Sequence, residues 1–87
     1  MKNPFRVIRE DEMELSRKAF CVQYSVPIST LANCENGNIT TVPESMLTAL
    51  RRAGVSRERL DELPTQFRKW QREQVAEEIR RKKMQSI

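Results

Sequence analysis

The chain has 87 residues, 38% of them hydrophobic, with 16 Lys and Arg against 12 Asp and Glu, a net charge of +4 and no histidine. A chain of this length makes one domain with a modest core, so stabilisation by a second copy is expected, and the basic balance leans toward acidic partners such as nucleic acid. No stretch approaches the roughly 20 apolar residues needed to cross a bilayer, and MKNPFRVIRED lacks the apolar centre of a signal peptide, so the expectation is a soluble cytoplasmic protein.

Asn3 is placed to cap a first helix that opens with Pro4 and runs through Phe5 and Ile8 toward Met13, because proline suits a first helical turn. Ser16 caps a second helix whose apolar side is Ala19, Phe20, Cys21 and Tyr24. After Ser25 and Val26, Pro27 opens a third, which ends at Gly37, the residue best able to take the left-handed conformation past a helix end. The polar loop NITTV leads to Pro43 and a fourth helix with Met46, Leu47, Ala49, Leu50 and Ala53 inward and Gly54 as its stop. Ser56 caps a short fifth helix holding Leu60 and Leu63, and Pro64 is expected to end it. From Thr65 to about Lys83 one more helix follows. No alternation of useful length marks a strand, so the class is all-α.

Cys21 and Cys34 are not spaced as a metal-binding pair and no histidine completes one, so both are read as reduced core thiols, with neither metal nor cofactor expected. Without histidine, a phosphate-cradling glycine loop or a nucleophile beside a base, the chain is not expected to be an enzyme. The second and third helices, joined by a tight turn, make a helix-turn-helix. Leu31 and Cys34 face its core, while the opposite side of the third helix stays small and uncharged, as a major-groove face requires.

The stretch LSRKAFCVQYSVPISTLANCENG, followed by a proline and LTALRRAGVS, resembles the Cro/repressor-type (XRE-like) helix-turn-helix proteins of phages and bacteria over roughly residues 4 to 60. The resemblance implies a five-helix DNA-binding domain over residues 1–63, with residues 64–87 as an additional C-terminal amphipathic helix ending in a basic run. It places Ile28, Ser29 and Asn33 at base edges and Pro27, Thr30 and Ala32 beside the groove. Ser16, Arg17, Lys18, Asn36, Asn38 and Thr40 fall near DNA phosphates. It also implies that Glu35 ties the motif together through an ion pair. The chain departs from the family in having Ser25 where glycine is frequent, Cys21 for alanine, Pro27 for serine or threonine, and a loop from Asn38 to Val42 without basic residues.

The chemistry of the reading face is consistent with adenine and thymine. Asparagine pairs with adenine through two hydrogen bonds, serine serves several bases, and isoleucine or alanine packs on a thymine methyl. No arginine on the third helix is available for the commonest guanine contact. In the tail, Phe67, Gln71, Val75 and Ile79 recur every four residues with Trp70 beside them, a narrow apolar stripe that either folds back or joins a second copy. A dimer interface is the expectation for these five residues. Arg80, Arg81, Lys82 and Lys83 suit phosphates or the helix C-terminus. The expected function is thus sequence-specific transcriptional regulation, as a repressor from a phage or other mobile element that binds a partly palindromic operator in double-stranded DNA as a homodimer. The alternative is a protein-interaction module, such as an antitoxin or phage accessory protein, bound to a protein partner.

Overall fold

In a computed structural model, which describes residues 1–85, those residues form helices and loops with no strand. Helix α1 spans Pro4–Arg6 and continues as a wider π-helical turn over Val7–Glu12. It is followed by α2 (Arg17–Tyr24), α3 (Ile28–Asn36), α4 (Glu44–Arg52) and α5 (Arg57–Gln85). No described helix is long and apolar enough to cross a membrane.

The caps read from the sequence explain most boundaries. The Asn3 side chain accepts from the N–H groups of Phe5 and Arg6, and the Ser16 hydroxyl accepts from Ala19 N–H. Ser56 does the same for Arg59. Each satisfies donors that a helix start leaves without an intrahelical acceptor. Pro27 and Pro43 sit one residue outside α3 and α4, in extended conformation, and supply no side-chain cap. Gly37 and Gly54 take positive φ angles of 80° and 92° after α3 and α4. Ser25 closes α2 at φ 57°, a left-handed position that strains any residue with a Cβ, and Val26 then dips into the core to begin the turn.

Pro64 does not separate two helices. α5 runs through it for 29 residues, so the fifth and the C-terminal helices expected from the sequence are one. A proline inside a helix costs about 3 kcal/mol. Leu60, Leu63 and Phe67 lie on one face around it and are all buried, and filling a core with three such side chains contributes about 1.5 to 3 kcal/mol each. Burial therefore outweighs the lost hydrogen bond and keeps the helix continuous.

The core draws on every helix: Phe5 and Ile8 from the first segment, Phe20 from α2, Leu31 and Cys34 from α3, Met46 and Leu50 from α4, Leu63 and Phe67 from α5. Phe5 and Phe67 meet edge to face with ring centres 5.5 Å apart, and Phe67 stacks obliquely on Trp70 at 5.7 Å. The second of these contacts braces Phe67 from within α5, and the first fastens the middle of α5 to the N-terminal helix. The outer wall of that helix is fastened by ion pairs. Glu10 accepts from Lys2 and Arg6, which hold its carboxyl down at about 2, and Glu12 is paired with Arg59 of α5.

The turn after α3 is pressed against α5. Gln71 donates to the carbonyls of Gly37 and Ile39 at 3.1 and 3.3 Å, and a Cβ placed on Gly37 would lie 2.8 Å from the Trp70 ring. Gly37 is thus required both by its backbone angle and by the aromatic ring above it. Gly37→Ala is expected to lower unfolding stability by about 1 to 3 kcal/mol. Trp70→Ala should reduce that penalty by removing the clash, which urea denaturation of the two single variants and the double variant will measure.

Candidate nucleic-acid interface

One buried carboxylate fixes the geometry of α2 and α3. The Glu35 side chain is completely shielded from solvent and receives the Arg9 guanidinium through two bonds, Nε to Oε2 at 2.6 Å and Nη2 to Oε1 at 2.8 Å. Arg17 Nε donates to the same Oε1 at 3.0 Å. The remaining Arg9 donors reach the Leu15 carbonyl, at 2.8 Å, and the Glu10 carboxylate. A single arginine thus joins the first helix, the loop before α2 and the end of α3. The planar fork of a guanidinium matches a carboxylate in this two-bond manner, which sets orientation as well as charge.

Asn3 makes a parallel tie. While its carbonyl oxygen caps α1, its amide donates to the carbonyls of Cys34 and Glu35, both at 3.1 Å. One buried asparagine therefore satisfies donors at the start of α1 and acceptors at the end of α3. Beside it, Cys34 is fully buried, and burial first, then the neighbouring Glu35 charge, push its thiol up to about 11. Cys21 is shifted upward for the same two reasons. Neither thiol is disposed to ionise, as the core reading of the pair requires.

With Leu31, Cys34 and Glu35 turned inward, the rest of α3 faces outward. Ile28, Ser29 and Asn33 are exposed together with Pro27, while Thr30 and Ala32 are half-buried at the edges of that surface. Ile28 keeps 57% of its surface in solvent. Ser16, Arg17 and Lys18 crowd the exposed start of α2, and Asn36, Asn38 and Thr40 are exposed at the far end of α3 and beyond it. The six groove positions and the six phosphate positions read from the sequence therefore all reach the surface, although Thr30 and Ala32 do so only in part. Arg17 is shared: Glu35 holds its Nε, and 43% of the side chain remains exposed.

The tail residues divide into two groups. Phe67 is buried, and Trp70 and Gln71 lie against the chain's own core and the turn after α3, so these three are spent within the domain and do not belong to a free dimer surface. Val75 and Ile79 are 55% and 51% exposed. The reason is periodicity. Contacts at 60, 63, 67, 70 and 71 follow the mixed three- and four-residue spacing that keeps one face turned inward, whereas a strict four-residue repeat drifts by about 40° per step.

The sequence assigns Asn3 its capping role but not its amide bonds to the end of α3, and it assigns Arg9 no role. A signal for Arg9 existed: it stands four residues after Phe5 and next to Ile8, on the apolar side of its helix, where a cation is out of place without a buried partner. Among the described residues no group of three or more Cys, Asp and Glu is arranged to hold a metal ion. Comparison with protein-family models, curated proteins and solved structures finds no match for this chain.

Glu35→Gln is expected to destabilise the fold by about 3 to 5 kcal/mol, because it removes the buried counter-ion of Arg9 and leaves that charge only the partly exposed Glu10 carboxylate. The double variant Arg9→Met/Glu35→Leu should be more stable than either single variant, since neither charge is then left alone. Urea unfolding decides this, and a loss below about 1 kcal/mol in Glu35→Gln would contradict it.

Proposed function

We propose that the chain is a sequence-specific DNA-binding protein that regulates transcription, with α3 as the helix that lies in the major groove and α2 as the helix that crosses the backbone. The observation that carries this reading is the outer face of α3, where Ile28, Ser29 and Asn33 are exposed while the one charged residue of the helix, Glu35, is buried. A carboxylate facing outward from that helix would meet the phosphates and the acceptor-rich base edges unfavourably. Burying it in an arginine clamp leaves a neutral surface of suitable size and donor capacity.

The roles then follow from chemistry. Asn33 offers a donor and an acceptor that fit adenine, Ile28 offers a methyl contact for thymine, and Ser29 accepts or donates. Arg17 and Lys18 at the exposed start of α2 supply charge and direct it to phosphate, and the N-terminal N–H groups of that helix add to the attraction. Because Glu35 holds Nε of Arg17, the guanidinium is already oriented before DNA arrives, which reduces the ordering cost of the contact.

Titration on duplexes selected from a random pool tests it. Asn33→Ala is expected to cost about 1 to 3 kcal/mol on the selected site and to relax preference at one base pair. Lys18→Ala should weaken binding to all sequences alike and lower the salt slope by about one. Unchanged base preference in Asn33→Ala would remove α3 from the groove.

A further inference from the structure

Past Glu73, whose carboxylate lies 3.3 Å from the Met1 amine, every residue from 74 to 83 is exposed. At about 1.5 Å per residue the 29 residues of α5 span roughly 43 Å, nearly the whole 49 Å length of the molecule, so this end of the helix projects as an arm. The arm and the six residues before it hold the charge excess. Residues 68–83 carry seven Lys and Arg against three Glu, whereas the rest of the chain carries nine of each.

The apolar pair Val75 and Ile79 lies within that positive segment. With Arg68, Gln71, Arg72 and Ala76 they line a shallow groove of about 520 Å³ that contains no carboxylate. Arg68 and Arg72 form no ion pair among the described residues, whereas two of the three glutamates are matched within the arm, Glu77 with Arg81 and Glu78 with Lys82. On a helix of 3.6 residues per turn, positions 68, 72, 75, 79 and 82 fall on one face. The exposed pair is therefore flanked along the helix by the unpaired Arg68 and Arg72 on one side and by Lys82, which Glu78 holds, on the other.

We infer that this face is a docking surface for an acidic amphipathic helix of another protein, with apolar residues three or four apart seated on Val75 and Ile79 and flanking carboxylates on Arg68 and Arg72. Charge complementarity selects this occupant. A second copy of the arm fits poorly: an antiparallel pairing that stacks Val75 on the Ile79 position sets Arg72 opposite Lys82, and a parallel pairing sets each cation opposite itself. A bilayer requires a broader apolar face than Val75, Ala76 and Ile79 present, and DNA phosphates make no use of exposed aliphatic side chains. The inference stands independently of how α3 is used.

The test is a selection of random helical peptides displayed against the full chain, with subtraction on the Val75→Ser/Ile79→Ser variant. Both positions are exposed, so that variant should retain the helical circular dichroism of the parent. Enriched peptides are expected to place two apolar residues three or four apart between Asp and Glu, and to lose about tenfold or more in affinity for both the serine variant and Arg72→Glu. Sedimentation of the full chain alone should give a monomer. Enriched peptides without carboxylates, or none that depend on Val75 and Ile79, would overturn the inference. So would a dimer that Ile79→Ser dissociates, or binding to phosphatidylserine vesicles that the two serines abolish.

Discussion

The buried Glu35 carboxylate is the interaction on which the architecture turns. It lies on α3, yet its partners come from the first helix and from the start of α2, so three separate segments share one charge cluster. Burying a carboxylate is costly unless it is paired and fully hydrogen-bonded, and here both oxygens are engaged by guanidinium donors. Such a pair contributes less net stability than its geometry implies, because desolvation consumes much of the attraction. Its larger effect is on orientation: α3 can rotate only by breaking several charged hydrogen bonds at once.

That constraint explains how a small domain keeps a defined outer surface. Leu31 and Cys34 anchor one side of α3 by packing, which alone tolerates some sliding, and the arginine fork and the two amide bonds from Asn3 remove that freedom. Pressed against the far end, Trp70 and Gln71 of α5 hold the turn at Gly37. Rigid backing of this kind is what the proposed recognition at base edges requires, since an asparagine must present both of its hydrogen-bonding groups in one plane.

Much of this was legible in the sequence because it depends on local chemistry. Asn3, Ser16 and Ser56 act through side-chain oxygens a few atoms from the N–H groups they cap, and Gly37 and Gly54 through their own backbone freedom. Leu31 and Cys34 announced the inward face of α3 by their spacing. Pro64 was misleading because its local penalty is real, yet three side chains on one face of α5 gain more from the core than the proline costs. The stripe in the tail read as one surface because a four-residue repeat resembles a helical face over a short distance; its drift, and the end of the body beneath it, divide Phe67, Trp70 and Gln71 from Val75 and Ile79. The partners of Glu35 are harder to read: the place of Arg9 on the apolar side of its helix calls for a buried counter-charge, but nothing in the spacing says that residue 35 supplies it.

Whether the clamp presents the outer face of α3 to DNA, as proposed, is read from backbone amide chemical shifts during titration of the isotope-labelled chain with a selected duplex. The largest changes are expected at Ser29, Thr30 and Asn33 and at the start of α2, with Arg9 and Glu35 unmoved because the clamp is already set. Changes confined to residues 68 to 83, with α3 silent, would contradict that proposal.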